Sequence, residues 1–486
     1  MKQYSAIIIL LLILFLGACL RFYRIRDLQT FRGDQAVELF GAYNILQGKF
    51  TLIGIKTSVS EMRNGAVMYY LISPFLYLLN YDPTAGGITQ SLLQLASIFI
   101  VYYLGKKAVN EKAGLLACFL IATSPLLIRY SRQTMLAFYP LFFSGLSLLI
   151  YYLLVQHFTK LRCFLLGVLV GFTLQIHYSA IILLGTSLIL PWIFLPKKLF
   201  KHYYFFLLLG FIVGFFPMLL FELRHEFFNS KMFLLFLFQQ KRRILLGKFN
   251  FLFYWQDTAA NLFFGQNLFL GGLFILFLLT AFFSFRKKLN LVEKVCSLQI
   301  AASLAFSILF VREAIYHYMI VAVLPVSILT SSLLLRIRIL FTKKWLSFII
   351  YIIFFCLFIF NFPLYGFSDN HGWSMAPGWD LAGVEKAAKI IRSDVQQANW
   401  RTVYNVAMLI DDERRAIPLR YFLDIWGTSP LPYDKYDSAQ KLYIALEPGL
   451  NLAKMDLWEL TSFGPYTVEK TWSIQNGFTL LRLEKK

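Results

Sequence analysis

Residues 136–156 read LAFYPLFFSGLSLLIYYLLVQ, a run without a charged side chain, and the basic segment Lys160-Leu161-Arg162 follows shortly after it. An apolar run of roughly 17–25 residues is the length that a helix needs to cross the hydrocarbon core of a bilayer. Such runs recur along most of the 486-residue chain, of which 58% is hydrophobic and 15% charged. Because soluble domains carry about 25% charged residues, the sequence predicts a polytopic membrane protein.

Segmentation of the whole chain, residues 136–156 included, predicts about eleven membrane-spanning helices. These predicted spans are residues 5–20, 86–105, 113–128, 136–156, 163–178, 179–195, 203–221, 262–285, 295–311, 316–335 and 345–362. A twelfth apolar segment, residues 65–80, is short and contains Pro74. It is either a further span or a helix that lies in the membrane interface.

The distribution of basic residues decides whether residues 65–80 cross the membrane or lie in its interface. If the N-terminus is cytoplasmic and residues 65–80 do not cross, five basic clusters all lie in the cytoplasm, as the positive-inside rule requires. The clusters are Lys106-Lys107, Lys160-Leu161-Arg162, Lys197-Lys198, Arg286-Lys287-Lys288 and the segment from Arg336 to Lys344. If residues 65–80 cross, all five face outward. The first arrangement predicts a multi-pass cell-membrane protein whose chain after Pro363 is extracytoplasmic.

The net charge of +21 does not indicate a nucleic-acid partner, because the basic residues lie in short loops where they fix topology. We therefore expect the partners to be the lipid bilayer and substrates that approach it. The five cysteines lie in or beside apolar runs, which is not the pattern of a disulfide framework.

The composition changes after residue 362. We predict a membrane domain over residues 1–362, a linker over 363–379 and a small extracytoplasmic α/β domain over 380–486. Residues 380–397 show the spacing of an amphipathic helix. Four segments have the residue pattern of strands, at residues 402–410, 441–446, 466–472 and 478–483. The predicted fold class is therefore an all-α polytopic membrane domain with interfacial helices, followed by a small α/β domain.

Asp34 lies in the first predicted outer loop, within Phe31-Arg32-Gly33-Asp34-Gln35-Ala36. A carboxylate just beyond a membrane span can act as a general base toward a hydroxyl, and desolvation in a cavity would tune its basicity. Alternatively, Asp34 caps a helix over residues 36–46, since Asp is a favoured N-cap. Glu38 follows four residues later, so both acids would lie on one helical face.

Arg129 and Arg132 follow the third predicted span and are three residues apart, which places them on one face if the helix continues. Arginine forks bind phosphate oxygens well. The alternative explanation is that both side chains extend toward lipid headgroups.

Further polar clusters fall at predicted turns on the same outer side. They are Gln175-Ile176-His177-Tyr178, Glu222-Leu223-Arg224-His225-Glu226, Lys241-Arg242-Arg243 and Arg312 to Tyr318, which includes His317. Ionisable groups at membrane depth are costly and often functional. Each cluster also has a purely structural explanation. In the same order, these are a turn in water, a Glu222–Arg224 ion pair, an interfacial basic helix and an aromatic belt. The spacing matches no specific metal signature, so the sequence neither requires nor excludes a divalent cation.

The order of several motifs resembles the C-type glycosyltransferases, in the branch that contains protein O-mannosyltransferases and lipid A aminoarabinose transferases. The matching segments are Gly33-Asp34-Gln35-Ala36 with Gly48, Ser124-Pro125 leading to Arg129-Tyr130-Ser131-Arg132, Gly171 to Tyr178, Pro217 to Phe227, and His317-Tyr318. Together they cover the membrane portion, and the resemblance says little about the C-terminal region.

The resemblance implies an enzyme that takes a hexosyl or pentosyl group from a polyprenyl-phosphate carrier and passes it to a glycan, lipid or protein hydroxyl. Asp34 matches the catalytic acid of the family. Many members have Asp-Glu where this chain has Asp34-Gln35, so the resemblance assigns no second acid at that position. Many also have an acid or an Asn-Pro pair after the arginines, where this chain has Thr134 to Pro140, so the second acidic function is absent or supplied by Glu222. The expected substrate-binding residues are Glu38, Arg129, Arg132, His177, Tyr178, Glu222, Arg224, His225 and His317.

Two other functions remain open from the sequence. A glycolipid flippase or carrier would need a polar path through spans that are nearly free of acids, and transporters more often place ionisable groups near the bilayer centre. A surface-polysaccharide ligase would share the compartment and the lipid-linked donor.

Overall fold

The protein is described by a computed structural model that covers residues 3–57, 61–244, 251–310, 316–340, 345–398, 403–452 and 455–486. Helices correspond to all eleven predicted spans. They are α1 (Gln3–Phe22), α5 (Thr84–Ala108), α6 (Glu111–Ala122) with α7 (Pro125–Ser131), α8 (Pro140–Gln156), α9 (Lys160–Ile176), α10 (Ile181–Phe194), α11 (Phe200–Arg224), α14 (Leu268–Phe285), α15 (Leu291–Phe310), α16 (Ile320–Leu340) and α17 (Trp345–Asn361). Seven helical segments of the described chain are long and apolar enough to cross a bilayer, and α6 with α7 makes an eighth if that pair, bent by 57°, is one span. Helix length and composition therefore do not establish the predicted number of eleven.

Shorter elements join these helices on the side of the first loop. They are the helices α2 (Ile25–Leu28), α3 (Gly33–Leu46), α4 (Val67–Leu78), α12 (Phe228–Ile244) and α13 (Phe251–Phe263), and the paired strands β1 (Ile53–Lys56) and β2 (Arg63–Gly65). Helix α4 has 12 residues and is therefore about 18 Å long. That length is well short of the roughly 30 Å hydrocarbon core. The segment predicted at residues 65–80 thus has the length of an interfacial helix.

Helices α9 and α11 approach each other closely because glycines line both facing surfaces. A Cβ atom built on Gly210 would lie 1.9 Å from the carbonyl oxygen of Phe164, and one on Gly167 would lie 2.1 Å from that of Leu207. Small residues four apart allow this backbone contact in membrane proteins, where burial of apolar surface does not drive helix association. The pair positions the turn after α9 against the end of α11.

Three of the predicted basic clusters lie together at the opposite end of the bundle. The Asn290 side chain, at the start of α15, donates a hydrogen bond to the carbonyl of Lys107 at 3.1 Å. Nearby, the buried Glu293 carboxylate accepts hydrogen bonds of 2.6 Å from both Nε and an Nη of Arg336. Lys107, Arg336 and the α14–α15 turn therefore lie at one end of the bundle.

The C-terminal region is a four-stranded sheet with helices packed on it. The strands are β3 (Tyr404–Leu409), β4 (Lys441–Leu446), β5 (Tyr466–Ser473) and β6 (Thr479–Lys485), and the helices are α18 (Leu381–Ala398), α19 (Ile417–Ile425) and α20 (Trp458–Phe463). The strand order is β3-β4-β6-β5, with β3 parallel to β4 and the other pairs antiparallel. The predicted helix and four strands are all present, so the predicted fold class of this region is confirmed.

This region packs directly on the first loop. The ring of Tyr421 in α19 lies 5.7 Å from Phe31 and 5.3 Å from Phe40, centroid to centroid. Its hydroxyl donates to the carbonyl of Tyr81 at 2.8 Å. The segment predicted as a linker, residues 363–379, contributes the buried Trp379 to the same core. The packing of the C-terminal region on the first loop holds the loop that follows β3 beside the start of α3.

Candidate active site

Asp34 lies in the first turn of α3, not at its cap. The helix begins at Gly33 and its N-cap is Arg32, whose backbone N–H donates to Oε1 of Gln35 at 3.1 Å. The alternative prediction, that Asp34 caps a helix starting near Ala36, is therefore wrong, because the Arg32–Gln35 bond starts the helix earlier. Asp34 is exposed, and a carboxylate in the first turn interacts favourably with the helix dipole.

Two cavities meet at Asp34. The larger, of about 600 Å³, lies between the start of α3 and the C-terminal region. The smaller, of about 440 Å³, lies between the first loop and the membrane domain. Asp34 and Glu413 line both. The smaller cavity is also lined by Arg32, Gln35, Tyr130, Gln133, Met135, Phe138, His317, Trp373 and Ser374.

Glu413 joins the C-terminal region to the helix that carries Asp34. Its Oε1 accepts a hydrogen bond of 2.8 Å from the backbone N–H of Gly33 and lies 3.7 Å from Nε of Arg32. Burial raises the pKa of Glu413, an effect that the Gly33 hydrogen bond and the Arg32 charge oppose and that the neighbouring Asp34 strengthens. A second carboxylate therefore stands beside Asp34, and it comes from a distant part of the chain.

The loop that carries Glu413 has an unusual backbone. Asp411 and Asp412 both have φ of 58°, and Ala416 has φ of 53°. Left-handed conformations of residues other than glycine are uncommon, although Asp adopts them more readily than most, and they cluster at functional sites. Sequence analysis missed Glu413. The available signal was the charged run from Asp411 to Arg415, directly after a predicted strand.

Glu38 lies behind Asp34 and is 2% exposed, so it lines neither cavity. Burial, with a smaller contribution from the charge of Asp34, raises the pKa of Glu38 to about 8. Among the described residues its Oε2 has no hydrogen-bond partner. Glu38 is therefore mainly protonated at neutral pH, and its expected contact with substrate remains a prediction.

The two arginines of the third predicted span do not form a paired fork. Helix α7 ends at Ser131, and the guanidinium of Arg132 donates to the backbone carbonyls of Leu20, Arg21 and Tyr365. The guanidinium of Arg129 instead lies 5.3 Å from the ring centre of Trp373, a wall of the smaller cavity. Arg132 thus holds together α1, α7 and the segment after α17, while Arg129 lies closer to the cavity.

His317 lines the smaller cavity, and His177 lies next to it. Their ring centroids are 5.6 Å apart, and His317 is 6.1 Å from the ring of Phe138. His177 Nδ1 is 2.8 Å from the hydroxyl of Ser179. The structure therefore connects His177 to the cavity through His317. The predicted Arg312–Glu313 pair lies outside the described residues.

A separate polar cluster surrounds the start of α12. Glu222 accepts hydrogen bonds from the backbone N–H groups of Asn229 and Ser230, both at 2.9 Å, and from the Ser230 hydroxyl at 2.6 Å. The Asn229 side chain and the Tyr178 hydroxyl both donate to the carbonyl of Arg63, at 3.1 and 2.9 Å. None of these residues lines either cavity at Asp34.

The remaining members of the predicted Glu222 cluster also lie apart from Asp34. Nδ1 of His225 is 2.9 Å from the carbonyl oxygen of Phe221, and Arg224 is exposed. The side chains of the predicted basic run at residues 241–243 lie outside the described part of the structure. Within the described residues, no three His, Cys, Asp or Glu side chains form a group that could hold a metal ion.

Comparison with known proteins agrees with this architecture. Residues 64–221 match the family model described as dolichyl-phosphate-mannose-protein mannosyltransferase. No curated protein sequence matches the chain. The predicted resemblance to this branch of membrane glycosyltransferases is supported by that family match.

Solved structures share the fold at low identity. The crystal structure of ArnT from Cupriavidus metallidurans bound to undecaprenyl phosphate matches with a TM-score of 0.62 and 11% identity, over 99% of this chain and 98% of that one. The archaeal oligosaccharyltransferase AglB from Archaeoglobus fulgidus, in complex with an inhibitory peptide and a dolichol-phosphate, matches with a TM-score of 0.55 and 12% identity, over 91% and 69%. The predicted fold, a helical membrane domain with a small C-terminal sheet domain, is confirmed.

Proposed function

We propose that this chain, which has the fold of C-type membrane glycosyltransferases, moves a hexosyl or pentosyl group from a polyprenyl-phosphate carrier to an acceptor hydroxyl. The observation that carries the proposal is the position of Asp34 on the shared wall of two cavities. One cavity opens toward the membrane domain, where a lipid-linked donor would lie, and the other opens toward the C-terminal region. The related structures support the donor class, since one holds undecaprenyl phosphate and another holds a dolichol-phosphate.

The donor would occupy the smaller cavity. Its sugar phosphate would lie near Arg32, which is on the cavity wall, and Arg129, which lies behind Trp373. Guanidinium groups stabilise negative charge that develops on a leaving phosphate. The aromatic wall formed by Tyr130, Phe138 and Trp373 would contact the sugar and the first isoprene units.

Asp34 would act as the general base. Its carboxylate accepts the proton of the acceptor hydroxyl while that oxygen attacks the anomeric carbon. The bond from the anomeric carbon to the phosphate oxygen breaks, and polyprenyl phosphate leaves with the electron pair. Because this is a single in-line displacement, the configuration at the anomeric carbon inverts. The proton remains on Asp34 until solvent removes it.

The reaction would take place on the extracytoplasmic side of the cell membrane. The basic turns at Lys107 and after α14 lie at the opposite end of the bundle from Asp34, and basic turns favour the cytoplasm. In this proposal the N-terminus would be cytoplasmic and the C-terminal region extracytoplasmic.

The Asp34→Asn variant tests this function. Purified protein is given a polyprenyl-phosphate sugar, and the rate of sugar release from the carrier to any acceptor, including water, is measured. General bases contribute typically ~10²–10⁴-fold, and we expect a loss in that range. Glu61→Gln is the matched control, because Glu61 is an exposed acid of the same loop, paired with Lys56. Undiminished turnover by Asp34→Asn would rule out the assigned role.

A further inference from the structure

The larger cavity combines exposed aromatic rings with acidic groups. Tyr433 and Trp458 both line it and are 45% and 55% exposed, which is high for such large rings on a surface outside the membrane domain. The Arg415 guanidinium lies 4.7 Å from the centre of the Tyr433 ring, and the ring of Tyr436 packs edge-on against Trp458 at 5.5 Å. Neighbours thus hold both rings while part of each remains open to solvent.

One carboxylate oxygen of a buried acid in the same wall lacks a hydrogen-bond partner among the described residues. Glu459 is 7% exposed, and among the described residues its Oε2 has no hydrogen-bond partner. A buried carboxylate oxygen without a donor is costly, and the cost is removed when a ligand supplies the missing N–H or O–H group. Glu459 is also one of the residues that line the cavity, so a ligand hydroxyl there would find a carboxylate that can accept its hydrogen bond.

The charged residues that line the larger cavity indicate which class of ligand it can bind. Acidic residues outnumber basic ones by five to two, the acids being Asp34, Asp412, Glu413, Asp434 and Glu459 and the bases Arg414 and Arg415. An acceptor with phosphate groups would be repelled by this excess of negative charge. A neutral polyhydroxyl compound would donate hydrogen bonds to the carboxylates and place its C–H groups on the aromatic faces.

We propose that the larger cavity binds sugar residues of a neutral glycan, and that this glycan supplies the acceptor hydroxyl. The proposal rests on the proposed function and names the acceptor class for the same site. Tyr433 and Trp458 form the platform for the sugar rings, and Glu459 accepts a hydrogen bond from a hydroxyl. Asp34, on the wall shared with the donor cavity, accepts the proton of the hydroxyl that reacts.

The test measures oligosaccharide binding by the full-length protein in lipid nanodiscs. The probes are an array of neutral gluco-, manno-, galacto- and xylo-oligosaccharides, printed beside phosphorylated and sulfated oligosaccharides of matched length. We expect neutral oligosaccharides to bind in preference to the charged ones. Truncating a ring that anchors a ligand costs roughly a factor of ten or more, so Trp458→Ala and Tyr433→Ala should each weaken binding by at least that factor.

Trp192→Ala serves as the control, because it removes an indole that is 67% exposed on α10, in the membrane domain. Undecaprenyl phosphate binding is measured on every preparation, which shows that the variants are folded and tests the donor site separately. Oligosaccharide binding that Trp458→Ala and Tyr433→Ala leave unchanged would overturn the proposal. So would a preference for phosphorylated probes, or no binding of any neutral probe by protein that still binds undecaprenyl phosphate. Failure of the wild type to bind undecaprenyl phosphate would instead count against the proposed function.

Discussion

Three carboxyl groups surround the first turns of α3, and each has a different environment. Asp34 is exposed at the junction of two cavities, Glu413 caps the helix from another region of the chain, and Glu38 is buried behind both. Two of them have raised pKa values because burial disfavours a charged carboxylate. Only Asp34 combines access to both cavities with the exposure that a general base needs.

Glu38 should make the stability of the protein depend on pH. Because the pKa of Glu38 is about 8 in the folded protein and about 4.3 in an unfolded chain, the folded state holds an extra proton between these values. The stability that this proton contributes is therefore fully present below the pKa of Glu38 in the unfolded chain, and it is lost as the pH rises toward 8. Glu38→Gln keeps a neutral side chain of the same shape and should remove this loss.

Thermal unfolding of wild type and Glu38→Gln, compared at pH 5 and pH 8.5, measures the effect. We expect similar melting temperatures at pH 5 and a variant that is more stable by a few degrees at pH 8.5. Glu61→Gln, an exposed acid of the same loop, should show no such difference. A Glu38→Gln variant whose advantage does not change with pH would mean that Glu38 is ionised throughout.

At this scale the sequence predicted some residues and missed others for identifiable reasons. Asp34 could be found because its position after the first span, together with the family resemblance, pointed to it. Glu413 could not, because 379 positions separate it from Asp34 and only the packing of α19 on Phe31 brings it there. The sequence could not predict that the Arg132 guanidinium donates to backbone carbonyls, because those contacts depend on long-range packing. Its role as a phosphate ligand stays a prediction.

At the scale of elements, Glu222 acts as a cap for α12. Its carboxylate accepts the hydrogen bonds of Asn229 and Ser230, which begin the helix. Loss of an N-terminal cap typically costs about 0.5–2 kcal/mol, so Glu222→Ala should lower the free energy of unfolding by about that amount. Transfer at saturating donor should change less than threefold, because Glu222 lines neither cavity.

Glu226→Ala is the matched control, since the Glu226 side chain is 91% exposed, and it should change neither stability nor activity. Stability is measured by denaturation in detergent and activity by transfer from a polyprenyl-phosphate sugar. A large loss of activity in Glu222→Ala without a loss of stability would instead support Glu222 as the second acid of the site.

The elements themselves were largely predictable because their signals are local. Apolar runs of bilayer length predicted each long helix, and the strand-like composition of residues 441–446 predicted β4 at its observed bounds. The start of α3 was misplaced because its cap uses Arg32, whose type gives no capping signal. The linker over residues 363–379 stays a prediction, but composition does not reveal that its last residue, Trp379, is fully buried.

For the whole molecule, the arrangement predicts which surfaces face outward. In a variant without its native cysteines, we expect an impermeant maleimide added to intact cells to label Glu61→Cys and Lys435→Cys. Lys107→Cys should be labelled only after the cells are permeabilised. The reason is that Glu61 and Lys435 belong to the end that holds Asp34, and Lys107 to the end with the basic turns. Labelling of Lys107→Cys in intact cells would contradict this topology, because it would place the basic turns outside the cell.

The two-cavity arrangement is a property of the whole fold and not of any motif. The smaller cavity needs α7, the turn before α16 and the packed segment at Trp373, while the larger one needs the loop between β3 and α19. Sequence analysis placed most of these segments on one side of the membrane but could not show which of them touch. It therefore grouped Tyr178, Glu222 and His225 with Asp34, whereas the structure places them around Arg63 and α12.

The most direct test of the central claim is a cryo-electron microscopy structure of the full chain in nanodiscs with undecaprenyl phosphate. We expect density for the phosphate in the cavity bounded by Arg32, Trp373 and His317, with Asp34 on the facing wall and the isoprene tail leading into the membrane domain. Phosphate density beside Glu222 and Tyr178, or at the end of the bundle that holds Lys107, would contradict the assignment of Asp34 as the catalytic base.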